Sequence, residues 1–387
     1  MRTLLITGPG GSGRTTVAAA TALGAAGAGV KTLVLSADRA DTLGAALGVP
    51  TGAAPARVTP ALTAWRPDAA AGFRDDLAGF QDRASTVLDL LGASRLDPEE
   101  VTPLPGAEEL TLLRALRDAA LSESHDLLVV DLPPTPQALA LLALPEELRR
   151  YLRRLLPPER QAARALRPVL GRLAGVPMPA EWLYETTARW DLELAAVQAV
   201  LADRRTAVRL VAEPGPAGDD AVRDARLGLA LRALPVESLV ANRVLPETAD
   251  GGGPLAGLVA QQRKFLGEWD DARTVAHLGR DPRGGDDLAA LCVPGADPEP
   301  SPVEWPVSDR LADDGVLVWH IPLPGVIRDD LDLVRRGDEL VVTAGPFRRI
   351  VALPSALRRC TVDGAGLREG ELRVRFAPDP ALWPRTR

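Results

Sequence analysis

Short apolar runs recur through the first two-thirds of the chain: Thr3-Leu4-Leu5-Ile6-Thr7, Thr32-Leu33-Val34-Leu35, Leu127-Leu128-Val129-Val130, Val208-Arg209-Leu210-Val211 and Leu239-Val240-Ala241. They are separated by helix-like segments, the first being the Ala-rich stretch from Val17 to Ala26. Apolar runs this short suit strands of a parallel sheet covered on both faces. The alternation of strand and helix predicts an α/β layer architecture. Two segments break the rhythm. Residues 51–125 mix helical stretches with Pro-rich turns, and residues 145–205 form a helical, strongly basic insertion.

Beyond a Pro-rich, acidic stretch at residues 294–302 the hydrophobic period changes from helical to two. Val316–Ile321, Leu331–Val334, Glu339–Val342, Arg349–Leu353, Arg358–Val362 and Leu372–Phe376 follow closely, punctuated by Pro324-Gly325, Gly337-Asp338 and Asp363-Gly364. Regular short strands with such turns predict a small antiparallel β-sandwich. The expected organisation is an α/β domain over 1–297, a linker over 298–312, a sandwich over 313–378 and a tail over 379–387.

Composition narrows the function. A formal net charge of −7 argues against a general nucleic-acid binder. Only Lys31 and Lys264 are lysines among 45 basic residues, so the positive charge is almost all arginine. In the insertion Arg149 and Arg153, like Arg150 and Arg154, lie four apart on one helix face; Arg160, Arg164 and Arg167 follow. A solvated face is the simplest account, with partner, anion or membrane-surface binding as the alternatives. Met178 is the only internal methionine, so an adaptable Met-rich client surface is missing. Cys292 and Cys360 are far apart and expected to be free thiols. His125, His277 and His320 cluster with no metal-ligand pattern in sequence. No apolar window approaches the ~18 residues of a membrane span. The N-terminal apolar run is too short for a signal peptide, and a cytoplasmic location is expected.

The chemistry centres on Gly8-Pro9-Gly10-Gly11-Ser12-Gly13-Arg14-Thr15-Thr16, set between a strand and a helix. It follows the phosphate-loop pattern except that Arg14 stands where lysine is expected. Such a turn presents backbone N–H groups and a helix N-terminus to an anion. Thr15 is the expected direct Mg²⁺ ligand. Asp131, ending the strand Leu127–Val130, is expected to hold the ion through water. Asp38, at the end of another strand, is a candidate for orienting an attacking water. The loop occurs once, so one chain carries one nucleotide site.

These residues resemble the ATPase family of the arsenite pump and of tail-anchored-protein targeting. The loop is similar to Gly-Lys-Gly-Gly-x-Gly-Lys-Thr-Thr. Asp38-Arg39-Ala40-Asp41-Thr42-Leu43 resembles the first switch, Asp-Pro-Ala-His-x-Leu. Asp131-Leu132-Pro133-Pro134-Thr135-Pro136-Gln137-Ala138-Leu139 resembles the second switch, Asp-Thr-Ala-Pro-Thr-Gly-His-Thr-Leu. Pro105-Gly106-Ala107-Glu108-Glu109 resembles the Pro-Gly-x-x-Glu segment, and Ala241-Asn242-Arg243-Val244-Leu245-Pro246 the strand-end asparagine that contacts adenine. The C-terminal strands resemble the small heat-shock, α-crystallin-like sandwich of some bacterial members. The resemblance implies a P-loop ATPase that binds ATP or ADP with Mg²⁺. Gly8, Gly10, Gly11, Ser12, Gly13, Arg14, Thr15 and Thr16 would form the cradle, with Asn242 on the base, Thr15 and Asp131 on magnesium, and Asp38 and Arg14 catalytic. It also implies a homodimer acting on an unknown protein client, without nucleic acid or a transmembrane segment; peripheral membrane contact stays open.

The chain departs from the family where hydrolysis is concerned. Both loop lysines are replaced, by Arg14 and Pro9, and Pro136-Gln137 replaces the Gly-His of the second switch. Arginine keeps the charge but not the compact ammonium, and proline loses both the charge and a backbone donor. Weakened turnover is therefore expected, with a pseudo-ATPase scaffold or a chaperone-like binding module as alternatives. Neither a Cys-x-x-Cys zinc motif nor a cysteine triad for arsenite is present.

Overall fold

The computed structural model describes residues 1–383 except 37, 91, 156–179, 247–252 and 298–299. By internal contacts the chain divides into two units, residues 1–206 with 275–298, and residues 207–274 with 299–387.

Eight strands make a mostly parallel sheet in the order β3-β4-β2-β5-β1-β6-β7-β8. Its strands are β1 (Arg2–Thr7), β2 (Thr32–Ser36), β3 (Ala56–Arg57), β4 (Leu62–Trp65), β5 (Leu127–Asp131), β6 (Thr206–Ala212), β7 (Val236–Val244) and β8 (Ala272–Ala276). β5 pairs in parallel with both β1 and β2, and all three are buried almost throughout. Burial on both faces is why these strands are apolar at consecutive positions. The five expected strands are all present. β3, β4 and β8 were not expected: β4 is four residues between prolines, and β8 carries an exposed, polar pattern.

In the first unit helices α1 (Arg14–Gly27), α2 (Thr42–Leu47), α3 (Ala69–Arg83), α4 (Ser85–Leu90), α5 (Ala107–Leu121), α6 (Thr135–Leu155) and α7 (Ala180–Leu201) follow in order. The basic face of α6 is only partly a solvated one. Arg149 Nε donates to Asp191 Oδ1 on α7 at 2.9 Å, and its Nη1 donates to Gln198. Arg153, more than half exposed, lies 3.5 Å from the same Asp191. Arg160, Arg164, Arg167 and Met178 lie outside the described residues.

In the second unit α8 (Pro216–Leu231) links β6 to β7, and α9 (Pro254–Glu268) precedes β8. The short α10 (Gly284–Ala290) belongs to the first unit. β6 holds a departure from its apolar pattern: the Arg209 side chain is 1% exposed and pairs at 2.6 Å with the Glu237 side chain of β7, which is buried although the residue's backbone is not.

The sandwich has a four-stranded sheet, β14-β15-β10-β9, and a three-stranded one, β11-β12-β13. These strands are β9 (Val307–Arg310), β10 (Val316–Pro322), β11 (Leu331–Arg336), β12 (Glu339–Ala344), β13 (Phe347–Ala352), β14 (Cys360–Arg368) and β15 (Glu371–Pro378), all paired antiparallel. Alternate residues fill its core, among them Leu317, Trp319, Ile321, Val342, Val374 and Phe376. The stretch expected as linker contains β9, and Trp305 within it packs edge-on against Trp319 with ring centres 5.8 Å apart. Trp383, in the expected tail, packs on the same core. Leu227 and Leu231 of α8 complete that core, and Arg349 Nη1 donates to the Leu231 carbonyl at 2.9 Å.

Candidate functional site

The loop between β1 and α1 turns on two glycines, Gly11 and Gly13, with φ of 81° and 88°. Both angles lie in the left-handed region that glycine adopts without cost. Gly13 is the N-cap of α1 and supplies no side-chain cap. The opening turn of α1 therefore has N–H groups available to an anion, in the field of the helix dipole. Gly8 accepts from the Thr135 amide at 3.1 Å, which ties the loop to the segment after β5.

Asp131 is the centre of the polar cluster. It ends β5, in register with Ser36 at the end of β2 and with Ile6 of β1. One carboxylate oxygen, Oδ2, accepts from Thr15 Oγ1 at 2.8 Å and from Ser36 Oγ at 3.0 Å. The other, Oδ1, is buried with no hydrogen-bond partner. Asp131 is 4% exposed. Burial, with the Asp38 charge adding to it and the Thr15 bond opposing, pushes its pKa up to about 6. A buried carboxylate with one unused oxygen beside a threonine hydroxyl is a donor set that fits a hard divalent cation. Thr15 and Asp131 are thus together. Ser36 had not been singled out; its signal is that it closes β2 at the level where Asp131 closes β5.

Arg14 is engaged by the segment that follows β5. Its Nη1 donates to the carbonyl of Leu132 at 2.5 Å, just past Asp131. Asp38 is exposed, and its Oδ2 accepts from Thr42 Oγ1 at 2.7 Å. Asp41 stands where the resemblance has histidine, and it works as a structural cap. It accepts from Gly44 N at 2.9 Å, from Thr51 N at 2.8 Å and from Thr51 Oγ1, with Arg66 3.7 Å away. Arg39 in the same segment bonds to Glu108 at the start of α5. Pro136 lies in the first turn of α6, where a helix tolerates proline. Asn242 lies in β7 at 5% exposure, followed by Arg243 with φ 57°, which pairs with Glu213 at 2.6 Å.

The remaining candidates disperse. Among the described residues no group of three or more His, Cys, Asp or Glu could hold a metal ion by itself. Cys292 and Cys360 are free. No helix among the described residues is long and apolar enough to cross a membrane.

The anion-transporting ATPase family matches residues 1–278, and the HSP20-like domain found in ArsA matches residues 314–376. The chain is 76% identical to SCO2128 of Streptomyces coelicolor over 390 residues, covering all of both chains. It is 34% identical to Rv2184c of Mycobacterium tuberculosis, covering 99% of this chain and 97% of that one. It is 25% identical to the Aquifex aeolicus protein named "Putative arsenical pump-driving ATPase 1", covering 97% and 99%. A phosphate-type loop, a buried strand-end aspartate joined to its threonine, and a match over both parts of the chain together place this protein in the anion-transporting ATPase (ArsA) family, in the form that carries a C-terminal HSP20-like domain.

Proposed function

We propose that the chain binds Mg·ATP and Mg·ADP at the β1–α1 loop and hydrolyses ATP slowly, using the change of state to act on a protein client. The observation that carries this reading is the Thr15–Asp131–Ser36 cluster, with Asp131 Oδ1 buried and unpaired next to an uncapped helix N-terminus. Thr15 and Asp131 would hold the cation, Thr15 directly and Asp131 through water. When bound, Mg²⁺ offsets charge on the phosphate oxygens. Asp38, steadied by Thr42, would orient the attacking water. Asn242 keeps the role on the base that the family resemblance implies. A homodimer follows from the same resemblance and from one loop per chain.

Slow turnover rests on the loss of compact positive charge. Arg14 points to the Leu132 carbonyl, and Pro9 carries neither charge nor N–H. Phosphoryl transfer depends chiefly on positioning and charge stabilisation, and loss of one such cation costs on the order of 10³–10⁵ in rate. The Arg14–Leu132 bond also favours a second reading, a nucleotide-binding scaffold without turnover. Calorimetry with Mg·ATP and Mg·ADP, together with phosphate release, tests both on the native chain and on the Pro9→Lys, Arg14→Lys double variant. Binding by both proteins is expected, with release in the double variant faster by about 10³. Absence of binding in both would defeat the nucleotide reading. No turnover in either, with binding intact, would leave the scaffold.

A further inference from the structure

The outward face of the four-stranded sandwich sheet carries a second polar constellation. His320 stands on β10 between Ser308 of β9 and Glu371 of β15. Its Nε2 is 2.9 Å from Ser308 Oγ, and its Nδ1 is 2.9 Å from Glu371 Oε1. The register places them there. Ser308 faces Val318 and Glu371 faces Pro322, so each is a diagonal neighbour of His320 on one sheet face. An ionised carboxylate has no proton to offer, so Nδ1 carries the ring proton and donates to Glu371. In the neutral ring Nε2 is then the acceptor for the Ser308 hydroxyl. This is the order of nucleophile, base and orienting carboxylate that activates a serine. Arg373 Nε holds the same Glu371 oxygen at 2.6 Å. His320 first, and Arg373 after it, keep the Glu371 carboxyl below the usual range.

The surroundings leave room for a substrate. Ser308 and His320 line a cavity of about 690 Å³ with Val316 and Val318 among its lining residues. Both valines are buried, yet neither belongs to the sandwich core. Arg310, Arg373 and Arg375 also line it, oriented by Asp314 at 2.7 Å, Glu371 at 2.6 Å and Asp363 at 3.2 Å respectively. A ladder that only tied strands together would account for the hydrogen bonds, but not for a cavity lined by Ser308, His320 and three guanidinium groups.

We propose that Ser308 is an activated nucleophile that cleaves small esters whose acyl part carries a negative charge. Ser308 Oγ attacks the ester carbonyl carbon while His320 Nε2 takes the hydroxyl proton. The Oγ–C bond forms, the ester C–O bond breaks, and the alcohol leaves with the proton from Nε2. Water then attacks the acyl-serine through the same relay, which releases the carboxylic acid and restores Ser308. The guanidinium groups select the charged acyl part. None of the residues involved belongs to the proposed nucleotide site.

The test uses the full chain with p-nitrophenyl hemisuccinate and p-nitrophenyl acetate, following nitrophenolate release and mapping the adduct by mass spectrometry. The expected result is a succinyl group on Ser308 and faster reaction with the hemisuccinate. Ser308→Ala should abolish the adduct, and His320→Gln should slow acylation by about 10²–10⁴, while both keep the native thermal midpoint. An unmodified Ser308, an acylation rate that His320→Gln leaves unchanged, or a faster reaction with the acetate would overturn the proposal.

Discussion

At the scale of single residues, Asp131 is a carboxylate whose burial works against its charge. It is charged near neutral pH, buried, and only half satisfied by Thr15 and Ser36. A pKa moved from 3.8 to about 6 corresponds to about 3 kcal/mol against the ionised form. Asp131→Asn keeps the shape and removes the charge. In chelator at pH 7.5 it should stabilise the chain by about 1–3 kcal/mol, read from denaturant unfolding. The same variant should lose at least about tenfold in magnesium-dependent nucleotide affinity, read by calorimetry. A variant no more stable than the native chain would show that the charge is better solvated than its surroundings suggest. Arg14 makes the opposite point. Its identity was legible from the sequence as a departure, but its bond to the Leu132 carbonyl was not, since that contact spans 118 positions.

At the scale of elements, β6 and β7 share a buried ion pair. The Arg209 and Glu237 side chains are 1% and 0% exposed, beside a register irregularity between Val208 and Arg209. Removing one partner takes a charge-assisted contact from a buried side chain, in a cluster that Ser238 joins. Glu237→Ala should cost about 3–5 kcal/mol in urea unfolding. Arg209→Leu with Glu237→Leu should cost much less, because both members of the pair are replaced together by apolar groups. An equal loss in both variants would mean that packing, rather than charge, sets the cost. The sequence showed Arg209 inside an apolar run and could not say what answers it. Strands with a strong pattern were legible, as β1, β2 and β5 show. β4 and β8 were not: four residues between prolines, or an exposed edge, carry too little periodicity to separate from loop.

At the scale of the molecule, the two units each have their own logic. In the second unit, α8 gives Leu227 and Leu231 to the sandwich core, so the sandwich is built onto a helix of the ATPase-like segment rather than joined only by a tether. Leu231→Ala should cost about 2–5 kcal/mol and should lower the sandwich's melting together with that of α8, followed by hydrogen exchange at Val342 and Leu229. Independent melting of the two would contradict a shared core. By itself the sequence determined the layer class, the sandwich with its six main strands, and the loop together with Thr15 and Asp131. These depend on local periodicity and on short motifs, which lie within a few residues of one another. Tertiary structure decided what depends on register between distant strands. It brought Ser36 to Asp131, turned Arg14 to Leu132, and paired Arg209 with Glu237. It also set His320 between Ser308 and Glu371, although in sequence that histidine has no neighbour of its kind. Pairing register is fixed by packing across the sheet, and no local stretch of sequence contains it.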